Sequence, residues 1–370
     1  MPDDTVPRRA TAPLLKDLNE RTVLDAIRGG APISRAEISR RAGISKPTVS
    51  LALQSLLSTG LVRETSRDPG GPSYGALFFE PVDEAALVLG VDVGARFLRG
   101  ALCDLGGAVR ARHDVELSVA DAGTVLAAVT GLRDTLVRAA GLSGDLIDGA
   151  IVGVPGVVNP ATRRLELAAN VPGLEGTAFG EELEDQLGLP VHIDNDINLA
   201  ALGEQWRGVA HGIDDFAFLS VGTGLGLDVD PCATAVSELA RRLAAGATTA
   251  LVAPYDVRDI FAAARTGDPV AQAVVEEEAR RIALHIAPLC AVTDIALVVL
   301  GGGLGANGDL LLTPVRSLLA DWVPYPPRVE VSALGEAAVL TGALSVGVGR
   351  ALDSVFVNRA RMSRAAVERA

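Results

Sequence analysis

Within residues 34–58 the side chains that could donate or accept hydrogen bonds fall at one end of a short apolar-periodic segment. Lys46, Pro47, Thr48, Ser50 and Gln54 follow the serine cap at Ser45, and Arg35 stands at the start of the segment before it. Polar donors near a helix N-terminus are the chemistry that reads base edges and phosphates when such a helix enters the major groove of duplex DNA. A second set recurs further along the chain as three glycine corners, each directly after a strand-like run: Asp92 with Gly94, Gly222-Thr223-Gly224, and Gly302-Gly303. Glycine lets backbone N–H groups come close to phosphate oxygens, although glycine after a strand most often marks only a tight turn.

The elements needed to position the first set are legible around it. Ser34 and Glu37 have capping-box spacing, which starts a helix at residue 35. Arg40 and Arg41 precede Gly43, the pattern of a helix end with cations on its carbonyls and a residue tolerant of positive φ. Ser45 caps a second helix, Pro47 suits its first turn, and Val49, Leu53, Leu56 and Leu57 form its inward side. The same features would suit a helical hairpin in an ordinary domain. The flanks favour a winged helix: an amphipathic segment over 14–27 contributes Leu15, Leu18, Val23, Leu24 and Ile27, and two apolar runs bracket a turn-rich stretch at 68–75.

Bulk properties bound what this head can belong to. The chain has 370 residues, 49% hydrophobic, enough for two or three domains. No run is long and apolar enough to span a bilayer, and Met1-Pro-Asp-Asp lacks the features of a signal peptide, so a cytoplasmic location without a membrane partner is expected. Cys103, Cys232 and Cys290 have neither disulfide-framework nor zinc spacing, and no metal or cofactor is expected. The formal net charge is −13. Residues 1–80 nevertheless carry 11 basic and 9 acidic side chains, so only this segment could lie comfortably against phosphate.

Beyond residue 86 the pattern is layered α/β. Strands are expected over 87–93, 97–104 and 108–116 as an antiparallel meander, then at 149–154, 191–194, 216–221 and 295–300. Helices are expected over 124–139, 198–207, 235–245, about 269–290 and about 337–351.

Three glycine corners in this order resemble the phosphate and adenosine loops of the two-lobed, actin-like (ribonuclease H-like ATPase) sugar kinase fold. Within it, residues from about 14 to 352 resemble the ROK family (repressors, open reading frames and kinases), whose regulator branch carries a winged helix in front. The resemblance rests on Gly153-Val-Pro-Gly156-Val-Val-Asn-Pro160, on Asn170-Val-Pro-Gly173, and on His192-Ile-Asp-Asn195-Asp196-Ile-Asn198-Leu-Ala-Ala-Leu-Gly-Glu204. It implies a winged-helix domain over 1–80, a first lobe over 86–195 plus about 337–352, a second lobe over 196–336, and a tail over 353–370. It also implies a sugar or sugar phosphate near Gly156, Asn170, Asn195 and Asp196, with Asp92, Gly94, Gly222, Thr223, Gly224, Gly302 and Gly303 as remnants of phosphate loops. In family kinases the aspartate matching Asp196 is the general base.

The chain departs from the kinase pattern at two places. Ala95 and Arg96 stand where family kinases continue the first loop with glycine and threonine, and neither the Glu-x-Gly-His segment nor the zinc ligands occur. The reading is therefore a non-enzymatic regulator, most simply a repressor, that binds an operator in double-stranded DNA as a homodimer or homotetramer and responds to a sugar. The alternative is an ATP-dependent sugar kinase with Asp196 as base.

Overall fold

The structure is a computed structural model and describes residues 12–66, 77–117, 121–168, 170–222 and 231–368. Its N-terminal part consists of α1 (Ala12–Arg28), β1 (Ile33–Ser34), α2 (Arg35–Ala42), α3 (Lys46–Ser58), β2 (Val62–Thr65) and β3 (Phe78–Pro81). The strands form an antiparallel sheet in the order β1-β3-β2, with Ile33 opposite Phe79 and Val62 opposite Pro81. This is a winged helix; the expected turn over 68–75 lies outside the described residues.

The local signals act as the residue types require, with two corrections. Ser34 Oγ accepts from Glu37 N at 3.3 Å, and Gly43 ends α2 at φ 66°, a conformation costly for any side chain with a Cβ. The Glu37 carboxylate is committed to Arg40 and Arg41, taking a 2.9 Å bond from Arg41 Nε, so the observed cap is the serine half of the box. Val23, Leu24 and Ile27 are buried as expected, but Leu15 and Leu18 lie half exposed or more. The apolar stripe of α1 is longer than the surface that α2 and α3 offer to cover it.

The first lobe is built on a five-stranded sheet in the order β10-β7-β4-β5-β6. Strands β4 (Leu87–Val93), β5 (Phe97–Asp104) and β6 (Val109–Glu116) form the expected meander, while β7 (Ile147–Val154) and β10 (Val191–Asn195) add in parallel beside β4. A small hairpin, β8 (Val157–Val158) and β9 (Leu165–Glu166), follows β7. Leu87, Leu89, Val91 and Val93 pack with α4 (Ala122–Ala140) and α5 (Phe179–Leu187) on one face. Val88 on the other face packs with α12 (Ala338–Glu368).

The second lobe holds the parallel strands β11 (Phe216–Ser220), β12 (Leu297–Gly301) and β13 (Arg328–Val331) in the order β11-β12-β13. Its core is closed by α7 (Ala233–Ala244), α8 (Val257–Arg265), α9 (Pro269–Val292), the short α10 (Gly302–Gly305) and α11 (Gly308–Trp322). Sequence periodicity missed α5, α8 and α11. The first and last of these start without a side-chain cap, and α11 carries Pro314 in its interior. The last helix, expected to stop near 351, continues to Glu368. Among the described residues no helix is long and apolar enough to cross a membrane.

Helix α6 (Asp196–Arg207) links the lobes and crosses α12 at a pair of glycines. A Cβ on Gly342 would lie 1.7 Å from the Leu199 carbonyl oxygen, and one on Gly203 would lie 2.3 Å from that of Ala338. The two backbones are therefore in contact. Buried Glu204 fixes the end of α6: Oε2 accepts from Val209 N at 2.9 Å, while Oε1 accepts from Leu334 N at 3.2 Å and from the Ser332 hydroxyl. Three hydrogen bonds offset the cost of burying that carboxylate.

The winged helix shares a core with the body. Val23, Ile27, Leu53, Leu56 and Phe79 of the head belong to one buried cluster with Val88, Cys103, Leu340, Leu344 and Val348. Arg28 Nη2 donates to the Leu105 carbonyl at 2.6 Å, Leu105 N donates to Asp83 O at 3.0 Å, and Arg21 pairs with Asp353 on α12.

Gly342→Ala is expected to destabilise the protein by about 3 kcal/mol or more, because two helix backbones must part to admit one methyl group. Gly131→Ala, in an exposed interior turn of α4 with open space around the new Cβ, should stabilise by about 0.5–1 kcal/mol. Urea unfolding midpoints of the two variants shift in opposite directions if the crossing is as described.

Candidate nucleic-acid interface and interlobe cleft

The outward face of α3 follows from what its inward face must bury. Val49, Ala52, Leu53 and Leu56 are buried, so Lys46, Pro47 and Gln54 are left exposed and Thr48 and Ser50 half-buried at the margins. Two of these hydroxyls already have local partners. Thr48 Oγ1 lies 2.8 Å from Ser45 Oγ, and Ser50 Oγ donates to the Lys46 carbonyl at 2.9 Å. Arg35 is exposed at the first position of α2. Reading the polar residues alone passed over Leu51, which sits 69% exposed on the same outward face. A helical projection of the sequence could have found it, four residues after Pro47 and three before Gln54.

In the cleft, the structure brings some of the expected ligand residues together and gives several of them structural work. Asn195 is the N-cap of α6: its Oδ1 accepts from Ile197 N at 2.9 Å and Asn198 N at 3.2 Å, and its Nδ2 donates to the Gly156 carbonyl at 3.0 Å. One amide N–H is left to face a ligand. Asp196 Oδ1 accepts from Ile197 N at 2.9 Å, and burial pushes its carboxyl above the ordinary range. Asn170 stands exposed on the turn before Val171.

At the first glycine corner Asp92 is 6% exposed, and burial raises its pKa to about 6. Arg99 opposes that shift from 3.4 Å, and the charge of Asp196 adds to it. Arg99 in turn holds Glu336 at 2.7 Å. The carboxylate at the head of this corner thus has a cation partner from within the chain. Sequence spacing did not reveal that pair, because it depends on Asp92 and Arg99 facing each other across β4 and β5.

The other corners divide. Of the second, Gly222 is described and borders open space, whereas Thr223 and Gly224 lie outside the described residues. In the third, Gly302 has φ 77° and a Cβ there would meet the Val221 carbonyl at 2.4 Å, while a Cβ on Gly301 would strike the Phe218 ring. Val221 N donates to Gly301 O at 2.9 Å and Leu304 N to Val221 O at 3.1 Å, so this corner is needed to seat one strand end against the next. Gly303 borders open space. Among the described residues no cluster of His, Cys, Asp and Glu could hold a metal ion.

A winged helix fused to a two-lobed α/β body of the actin-like type defines the class of protein. The chain belongs to the ROK family, whose profile matches residues 88–230 and 234–347, and residues 17–71 match the MarR family. A xylose repressor of Caldicellulosiruptor bescii is 24% identical over 92% of this chain and 98% of its own length. A glucokinase of Halalkalibacterium halodurans is 27% identical over 62% of this chain and 83% of its own. The crystal structure of a ROK family transcriptional regulator, a homologue of the E. coli MLC protein, superposes with TM-score 0.75 at 21% identity, covering 93% of this chain and 98% of that one.

Because the folded pKa of Asp92 is raised above that of the unfolded chain, its protonated form stabilises the fold at low pH, and this contribution is lost as pH rises from about 4 through about 6. Asp92→Asn should flatten that part of the stability profile and raise stability near pH 7 by about 1–2 kcal/mol. Thermal melts of both proteins between pH 4.5 and 7.5 provide the comparison.

Proposed function

We propose that the protein is a transcriptional repressor that binds operator DNA through α3 and is controlled by a sugar or sugar phosphate held between its lobes. The observation that carries this is the outer face of α3, where the donors Lys46 and Gln54 stand exposed on a head whose core is merged with the body. End-to-end similarity to a protein named as a xylose repressor supports it. Gln54 suits a bidentate contact to adenine, Lys46 a guanine edge or a phosphate, and Arg35 a phosphate beside the groove. Binding as a homodimer or homotetramer would double or quadruple contacts that a head of small positive charge makes weakly alone. Such a protein works in the cytoplasm, where the operator is.

The effector site in this reading lies at the N-terminus of α6, where Asn195 binds the Gly156 carbonyl beside Asp196, with Asn170 as a further ligand contact. A ligand there would act by binding one inter-lobe arrangement better than another. The route to DNA is short: α6 touches α12 at Gly203 and Gly342, and α12 carries Leu344 and Val348 into the core of the head.

Similarity to a glucokinase and retention of Asp196 favour a second reading, a sugar kinase using Asp196 as general base. Against it stand Ala95 and Arg96 in the first loop, the Arg99 partner of Asp92, and the lack of a Glu-x-Gly-His segment in the sequence. An assay with ATP, magnesium and a panel of hexoses decides: no turnover is expected, and turnover abolished by Asp196→Asn would establish the kinase instead.

Lys46→Ala and Gln54→Ala are each expected to weaken operator binding about 5- to 100-fold with unchanged melting temperature, in line with about 1–3 kcal/mol for a good base contact. Mobility shifts on sites recovered from genomic fragments test this. Full affinity in both variants removes α3 as the reading helix.

A further inference from the structure

Resting on the DNA-binding reading, we infer that Leu51 is a specificity-determining residue that reads the C5-methyl group of a thymine in the major groove. Leu51 is the large aliphatic side chain on the outer face of α3, 69% exposed, whereas Val49, Leu53 and Leu56 of the same helix are buried. Its place is fixed by the helical repeat: it stands one turn after Pro47 and three residues before Gln54, with Ser50 beside it. Six residues from the cap Ser45, it belongs to the first two turns, the part of a recognition helix that reaches base edges.

The chemistry on either side narrows what Leu51 can meet. Ser50 spends its hydroxyl proton on the Lys46 carbonyl, and the Thr48 and Ser45 hydroxyls share one hydrogen bond, so the exposed donors of this face are Lys46 and Gln54. Between them the exposed side chains are Pro47 and Leu51. Of the four bases only thymine presents an apolar group in the major groove, so an aliphatic side chain pressed against that floor discriminates for thymine and against cytosine, whose edge is a donor. Glutamine is matched to adenine, so Leu51 and Gln54 together call for adjacent positions rich in A·T pairs.

Thymine differs from uracil by that methyl group alone, which makes the contact separable from every hydrogen bond around it. Operator duplexes recovered by selection on the full-length protein would be resynthesised with deoxyuridine at one thymine at a time. The intact protein should lose about fourfold in affinity at one thymine per half-site, the effect of one buried methyl group. Leu51→Ala should bind the thymine and deoxyuridine duplexes equally, while Leu18→Ala, a change at another exposed leucine of the head, keeps the difference. The inference is overturned if no thymine is sensitive, if Leu51→Ala retains the fourfold difference, or if Leu51→Ala instead changes the oligomeric state because a second copy covers that face. Failure to recover any preferred duplex would be a distinct result, ending the DNA-binding reading and this one with it.

Discussion

The contact of α6 with α12 is the constraint on which the rest of the molecule depends. Two helices approach so closely that the Leu199 carbonyl lies where a Cβ of residue 342 would be, and a glycine on each helix is what permits it. Around that crossing everything else is registered. One end of α6 carries Asn195 and Asp196 into the cleft, and its other end is held by Glu204 to the segment after β13. One end of α12 follows that same segment, and its later turns line the core of the head. A contact between backbones has no long side chains to absorb relative movement, so what displaces one helix is passed to the other.

The head is consequently part of the body rather than an appendage on a linker. Its core is continuous with β4, β5 and α12, and Arg28 and Arg21 bind body groups at the rim. This seam uses apolar surface that a free winged helix would have to cover by itself. A small three-helix domain buries little apolar area alone, and merging it with a larger core supplies the difference. Orientation of α3 therefore follows the orientation of the first lobe.

In the cleft, several residues of the family motifs are engaged by the chain itself. At the first corner Asp92 is drawn into an Arg99–Glu336 chain of charges. At the third, Gly301 and Gly302 are required by Phe218 and Val221 whether or not a phosphate is present. Asn195, the polar residue most suited to a polyol, spends three of its hydrogen bonds on α6 and Gly156. Retained motif residues here carry structural roles, and that alone would keep them in place.

The sequence by itself determined what depends on neighbours a few residues apart. Ser34, Gly43 and Ser45 place the helix-turn-helix, alternating apolar residues place the meander, and motif residues from Gly153 to Glu204 carry the family resemblance, because caps, turns and periodicity are set within a turn or two of chain. Helices α5 and α11 lack an N-terminal side-chain cap, so their starts are not marked in the sequence although their buried residues recur every four positions. Tertiary structure alone decided which apolar residues find a covering surface: Val23 and Ile27 do, Leu15, Leu18 and Leu51 do not. It also decided that Arg99 faces Asp92 and that the head merges with α12. An apolar or charged side chain announces its chemistry in the sequence, but its partner is set by strand register, as for Asp92 and Arg99, or by segments hundreds of residues away, as for the head and α12, and only the packed chain brings them together.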